Sequence, residues 1–205
     1  MKRDTKKIIL EAAKKLFNEQ GYVNVRLHQI AAEANISVGN MAYHYKHKPE
    51  ILLALFEQLQ EEQQELLNEI SLTPIFENLD FFFRHTFEIQ QNFLFFYQDT
   101  LELVRASEVL KQNYREYLNW QEMELEMLLQ LNQARGAFEW EDDQVPFLAK
   151  QLRRQMDSWH YNLEVEGDDV TNFEAYRNNI WTLLVPYFTT IGQKEFKQLD
   201  FTLTP

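Results

Sequence analysis

Arg26, His28, Asn40, Tyr43, His44, Lys46 and Lys48 are cations or hydrogen-bonding side chains gathered in one short stretch, with Ser37, Val38 and Gly39 among them. Side chains of these kinds can meet phosphate oxygens and base edges. Arg26 can address guanine in a bidentate manner, with a phosphate as its competing partner. Asn40 can address adenine, and Val38 can touch a thymine methyl. Catalytic chemistry finds far less support. The chain has no cysteine, so neither a thiolate metal site nor a disulfide is available. His85-x-x-Glu88 and Asp157-x-x-His160 have i, i+3 spacing, but a di-iron bundle needs two Glu-x-x-His motifs and two further inward glutamates. One pair here is reversed and the other begins with Asp. Neither a Ser or Cys nucleophile motif nor a Gly-rich phosphate loop is present. The expectation is a protein without catalytic residues, bound metal or cofactor.

The elements that must hold the recognition residues are short. Leu27, Ile30, Ala31 and Ala34 fall on one side of a helix predicted over Leu27 to Ala34, leaving His28, Gln29 and Glu33 outside. Asn35 stands where the chain must reverse, and Asn tolerates the left-handed conformation. Ile36 fills the corner. Ser37 is a good N-cap for a helix over Val38 to Tyr45, which offers a core little beyond Met41 and Tyr45. A short helix this polar, followed by Lys46 and Lys48, suits a DNA major groove. Ahead of it, Ile8, Ile9, Ala12, Ala13, Leu16 and Phe17 describe a helix from Thr5 to about Glu19, started by Asp4 or Thr5 and ended by Gly21. Pro49 opens a fourth helix in its permitted first turn. Ile51, Leu52, Leu55, Phe56 and Leu59 continue that helix, and Leu66, Leu67 and Ile70 extend it.

Charge is distributed unevenly. The chain carries −12 overall, which taken alone argues against a polyanion partner. Residues 1–50 nevertheless hold nine Lys and Arg against five Asp and Glu, and the remainder eleven against 27. His28, His44 and His47 also lie in the first part. A basic head on an acidic body can bind phosphate at one end while the body is repelled. Lys2, Arg3, Lys6, Lys7, Lys14 and Lys15, taken by themselves, read as a solvated helix face.

Ile9, Ala12, Ala13, Leu16, Phe17, Gly21 and Tyr22, followed by Ile30, Ala31, Ala34, Ile36, Ser37, Gly39, Met41, Tyr43, His44, Tyr45, Lys48 and Ile51, match one family pattern in register. In these residues the chain resembles the N-terminal domain of TetR-type transcriptional regulators, over about a quarter of its length. The resemblance implies a homodimer that sets two recognition helices in successive major grooves, with a C-terminal domain that dimerises and takes a small effector. It implies that Ser37 caps the recognition helix and that Gly39 permits close approach to DNA. Tyr43, His44 and Lys48 would meet phosphates. Three positions depart from the pattern. Val25 stands where a Thr often caps the second helix, so Asn24 is expected to take over that cap. Ala42 replaces a tyrosine commonly used on phosphate, and Asn35 replaces the usual turn glycine.

The rest of the chain reads as helix, with apolar spacings of three and four and almost no strand signal. Thr73-Pro74 breaks the connector. Helices are expected over Ile75–Gln91, Asn92–Val104 and Ser107–Ala134, the last ended by Gly136. Asp142 or Asp143 should cap the next, which carries Leu152, Met156 and Trp159. After a break at Gly167 and Asp168, a last helix carries Ile180, Leu184, Tyr187, Phe188 and Ile191, kinked at Pro186. These two helices are expected to form the dimer interface through Leu152, Met156, Trp159, Ile180, Leu184, Tyr187 and Phe188, with an intramolecular core as the competing role. An effector pocket, where there is one, is expected among Phe82, Phe83, Phe87, Phe93, Phe96, Tyr97 and Trp120, with Arg84, His85 or His160 as a polar contact; ordinary core packing is the competing and better-supported role of aromatics at this spacing.

The fold class is therefore all-α: a helix-turn-helix domain at 1–48, a connector helix at 49–72, and a dimerisation and ligand domain at 73–205. Charged residues interrupt every long apolar stretch and the first residues show no signal-peptide pattern, so a cytoplasmic protein with no membrane partner is expected. Its partners would be double-stranded DNA, a second copy of itself and a small effector of unknown identity. A ligand-released repressor is the main reading. The departures at Val25 and Ala42 leave room for a module that keeps the fold without binding an operator.

Overall fold

The computed structural model describes residues 4–69 and 74–199. Eleven α-helices order them: α1 (Thr5–Gln20), α2 (Leu27–Glu33), α3 (Val38–His44), α4 (Lys48–Glu69), α5 (Phe76–Asn92), α6 (Leu94–Gln98), α7 (Thr100–Ala106), α8 (Glu108–Ala134), α9 (Val145–Glu166), α10 (Phe173–Leu184) and α11 (Thr190–Phe196). Among the described residues the only β pairing is an isolated bridge between Phe138 and Phe188. Ile70 and Thr73, expected at the end of the connector, lie outside the described residues.

The helices form two compact units. One comprises Met1–Glu62 with Asn92–Tyr114, the other Gln63–Gln91 with Arg115–Pro205. This cuts across the division at 48 and 72, because the boundary falls inside α4 and inside α8. The first unit has a core of Ile9, Ala13, Phe17, Val25, Ile30, Leu52, Leu55 and Phe56, all fully buried. Phe95 packs edge-on against Phe17, and Phe96 lies 5.5 Å from Phe56. Asp4 starts α1 by accepting from the amides of Lys6 and Lys7.

The single helix expected over Asn92–Val104 is instead α6 and α7, broken at Asp99. Side chains of this unit take its backbone groups. Asn18 donates to the Asn92 carbonyl at 2.9 Å and accepts from the Phe95 amide at 3.1 Å. Asp99 accepts from the Tyr22 amide at 3.0 Å, which holds the end of α1 against α7. Asn18 thus serves backbone groups where α5 gives way to α6, and Asp99 serves the first amide beyond Gly21.

The second unit packs α5, α8 from Arg115 onward, and α9 to α11. Its aromatic centre is Phe76, Phe138, Trp181 and Phe188, with Phe76 about 5 Å from each of the others. Arg177 pairs with Asp80 at 2.7 and 2.8 Å, and the Trp181 indole donates to the same carboxylate, so a buried charge is fully occupied. Gly192 has a steric reason. A Cβ there would lie 2.3 Å from the Ala137 carbonyl oxygen, so α11 can rest on that extended segment only without a side chain.

Three expectations about the last helices need correction. Pro186 ends the helix rather than kinking it: α10 stops at Leu184, a 3-10 turn spans Val185–Tyr187, and α11 starts afresh, capped by Thr189. The chain also enters α9 through a 3-10 turn at Asp142–Gln144, whose N-cap is Glu141. Leu152, Met156, Ile180 and Leu184 are at most 4% exposed within a single chain. These four, expected at a dimer interface, are core. Trp159, Tyr187 and Phe188 are half-buried.

Candidate nucleic-acid interface

The recognition element is held by few groups and leaves most of itself outside. Met41 is 1% exposed and Tyr45, just past the helix end, 9%. Ser37 caps α3 by accepting from the Asn40 amide at 3.1 Å, and Asn35 turns the chain with φ of 53°. The Ile36 amide donates to the Ala31 carbonyl, closing the turn on α2. Outward lie Val38, Gly39, Asn40, Ala42 and Tyr43, the last 84% exposed. His44 is half-buried with its ring edge-on to Tyr43 at 5.2 Å. Gly39 is unlike Gly192. A Cβ there would meet only Ser37 Oγ, at 3.9 Å, so nothing inside the protein asks for glycine. A helix interior loses about 1 kcal/mol with Gly in place of Ala, and here the fold gains nothing in return.

The cations differ in how they are held. Lys46 is exposed, and its amide donates to Glu50 at 2.8 Å. Arg26 stands at the start of α2, with one guanidinium nitrogen on the Val23 carbonyl at 3.2 Å. His28 is exposed. Lys48 reaches inward: its ammonium donates to the Tyr22 and Val25 carbonyls at 2.7 and 2.9 Å and lies 4.0 Å from the Tyr22 ring centre. Partial burial, with Arg26 nearby, holds its pKa below the usual lysine value. Two of its three donors thus join α4 to the crossing between α1 and α2, a structural task the spacing does not suggest. The expected cap by Asn24 is also revised. Its amide closes the end of α1 by donating to the Gln20 carbonyl, and Gln29 caps α2 by accepting from the Arg26 amide. Val25 is completely buried.

Comparison with known proteins bears on this geometry. A family described as "Bacterial regulatory proteins, tetR family" matches residues 9–55, and one described as TetR, "Bacterial transcriptional repressor", matches residues 55–196. The chain belongs to the TetR family. No curated protein matches it in sequence. Among solved structures, a TetR-family transcriptional regulator from Marinobacter aquaeolei VT8 is 23% identical over 97% of both chains, with a TM-score of 0.84. A TetR transcription regulator from Haloarcula marismortui is 17% identical over 91% of this chain and 99% of that one, with a TM-score of 0.75. A SmeT–triclosan complex is 20% identical over 92% and 93%, with a TM-score of 0.64. These likenesses are of fold. TetR proteins are DNA-binding transcriptional regulators, and this chain has that family's all-α architecture. No helix among its described residues is long and apolar enough to cross a membrane.

The aromatic residues expected around one pocket lie in three places in this TetR protein. Phe93, Phe96 and Tyr97 are buried in the first unit, where Lys14 lies over the Phe93 ring. Phe83 packs on Trp181, and Phe87 on His160 and Tyr176, in the core of the second. Phe82 and Trp120 line a cavity, where Leu67, Leu125 and Met156 complete the apolar wall. Its polar wall holds Gln63, Thr86, Gln121, Glu124, Arg153 and Asp157. The space unfilled by atoms, counting what is open to solvent, is about 320 Å³. Arg84 stacks on Phe173 and His85 on Phe81, both away from the cavity lining. His160 is fully buried between Gln90 and Gln91, and burial holds its pKa down at about 4.

The sequence does carry a signal for the cavity. Gln63 continues the buried stripe of Leu52, Leu55, Phe56 and Leu59 along α4, and Thr86 and Gln90 continue that of Leu79, Phe82 and Phe83 along α5. Polar residues at core register need a partner or a ligand.

Proposed function

We propose that this TetR-family chain is a homodimeric repressor that a small ligand releases from its operator, acting in the cytoplasm. Residues 1–48 form the DNA-binding head and α4 the connector to the ligand-binding and dimerising body. One observation carries the DNA reading: α3 turns Val38, Gly39, Asn40 and Tyr43 outward around a glycine that the fold itself does not require. In the major groove, Gly39 lets the helix start approach the backbone. Asn40 and Val38 meet base edges, Arg26 and His28 flank them, and Ser37, Tyr43, His44 and Lys46 meet phosphates. Lys48 brings its remaining donor to a phosphate while bracing α4.

Geometry supports the release reading. Gln63 and Leu67 of the cavity lie on α4, and the same helix runs to Lys48. A ligand that displaces this helix shifts the heads of a dimer, and half-sites lie at fixed helical-turn intervals. The absence of cysteine makes the test clean, since a single Val23→Cys on each protomer takes a spin label. The distance between labels should change on ligand binding; an unchanged distance at saturation refutes the mechanism.

DNA binding itself is tested by anisotropy on genomic fragments, including the region upstream of the gene. Lys46→Ala should weaken binding to every duplex, lower the salt slope by about one and leave the melting temperature unchanged. Lys48→Ala should lower both affinity and melting temperature, because it also frees the Tyr22 and Val25 carbonyls. Asn40→Ala should change sequence preference. Salt-insensitive behaviour, or no binding to any duplex, would leave a fold without operator function.

A further inference from the structure

The cavity of the second unit is lined by polar groups that lack partners. Gln63 is 2% exposed and Thr86 1%, yet Gln63 Nε2, Thr86 Oγ1 and Gln121 Oε1 have no hydrogen-bond partner. Buried orphans of this kind cost on the order of a lost hydrogen bond each, and three around one cavity are not an accident of packing. They describe the complement of a ligand.

The charges fix its sign. Among the described residues Arg153 is the one cation on the cavity wall, and it is already committed, donating to Glu122 at 2.8 Å and to Asp157 at 2.8 Å. Glu124 lies on the same wall. Two carboxylates, Glu124 and Asp157, thus line the cavity beside a single guanidinium that is already paired, which leaves its wall with an excess of negative charge. The Asp157 carboxyl bears the mark of this: burial raises its pKa to about 6, against the pull of Arg153 and with a further push from Glu122. A ligand carboxylate would meet two like charges and a guanidinium already held by Glu122 and Asp157. A ligand cation would complete the set, with Thr86 Oγ1 and Gln121 Oε1 as added acceptors. Gln63 Nε2, a donor, asks the ligand for one neutral acceptor. Phe82, Trp120, Leu125 and Met156 ask for an apolar or aromatic body.

We propose that the effector is an amphipathic organic cation: a protonated amine on an apolar or aromatic frame that also carries an ether or carbonyl oxygen. This rests on the reading of the body as a ligand-binding domain. The ammonium lies between Glu124 and Asp157, the oxygen lies on Gln63, and the frame displaces Trp120, which is half-buried at the mouth.

The test uses the full chain and three probes that differ only in their head: 4-phenoxybutylamine, 4-phenoxybutan-1-ol and 4-phenoxybutanoate. At neutral pH, thermal unfolding and calorimetric titration should show saturable binding of the amine, with the alcohol and the acid at least about tenfold weaker. Glu124→Gln should weaken the amine about tenfold and leave the alcohol unchanged. Glu124 is partly exposed, so the melting temperature of the unliganded variant checks its fold. The proposal fails if the acid or the alcohol binds as tightly as the amine, if none of the three saturates, or if Glu124→Gln weakens all three alike. Neither readout involves DNA. Amine binding without operator binding would refute the repressor reading alone, and operator binding without amine binding would refute this one alone.

Discussion

Gly39 is an exposed residue in the second position of a short helix, and the fold uses none of the space its missing side chain leaves. Gly39→Ala should therefore stabilise the free protein by about 0.5–1 kcal/mol, through helix propensity and a less flexible unfolded chain. The same methyl group should weaken operator binding by tenfold or more if the backbone of DNA passes over this position. Chemical denaturation and anisotropy on one sample decide it: a variant that is more stable and binds equally well would mean that DNA does not need the glycine either. Two titrating groups, half-buried Asp157 and buried His160, make a second residue-scale prediction. Asp157 is surrounded by Arg153, Glu122 and Tyr176, and its carboxyl is raised from 3.8 to about 6. The folded state therefore keeps that proton where the unfolded chain releases it, so its contribution is full below 3.8 and is lost as pH rises through 6. His160 faces Gln90, Gln91 and the rings of Phe87 and Tyr176, and is lowered from 6.5 to about 4. Its contribution is full above 6.5 and is lost as pH falls through 4. The two terms oppose each other between pH 4 and 6, each worth about 3 kcal/mol at full swing. Relative to the parent chain, Asp157→Asn should lose stability on acidification through this window and His160→Gln should gain it. Parallel pH profiles for all three proteins would show that neither group titrates as described.

At the scale of elements, the head is legible because its signals are local. Ser37 caps the helix that follows it, Asn35 takes the left-handed turn, and Met41 and Tyr45 anchor α3, as their spacing implies. Local signals fail where a distant residue competes for the backbone. Nothing within Asn92–Val104 marks the break at Asp99, whose carboxylate is taken up by the amide of Tyr22, far away in sequence. Lys48 has a second role for a similar reason: a lysine after this helix suggests phosphate, and only the fold brings the Tyr22 and Val25 carbonyls beneath it as well. The aromatic residues expected around one pocket are legible only in part. Helical spacing puts Phe87 and Phe93 on inward faces but does not say which unit's core receives them. The Asp99 contact can be tested by itself. Asp99→Ala leaves the Tyr22 amide without its acceptor and should cost about 1–3 kcal/mol in urea unfolding, whereas Asp99→Asn keeps an oxygen there and should cost much less. Equal stability of the alanine variant and the parent would mean that water serves the amide equally well.

At the scale of the whole molecule, the question is what a second copy would touch. Four of the residues expected at the interface are already spent on the protomer's own core, and the same helices turn a different face outward. On α9, Phe147 is 62% exposed, Tyr161 52% and Val165 68%, with Arg154 exposed between them. Phe147, Arg154 and Tyr161 recur every seven residues, so they line one face of the helix and Val165 extends it by a turn. Thr182 and Pro186 are exposed on α10 and just beyond it. Exposed aromatic and branched residues in a row are costly in water unless something covers them, and a two-fold axis covers a face with its own copy. Phe147→Glu with Tyr161→Glu should therefore place like charges against each other across that axis and yield a monomer. Because both side chains lie outside the protomer core, the variant should keep its helical content and its melting transition at low concentration. A monomer presents one recognition helix, so operator affinity should fall by orders of magnitude while the weak, salt-dependent binding to unrelated duplexes persists. Sedimentation of the parent and the variant at the same concentration separates the outcomes. A variant that remains a dimer moves the interface off this face of α9, and a parent that is itself monomeric at micromolar concentration removes the paired-groove mechanism altogether.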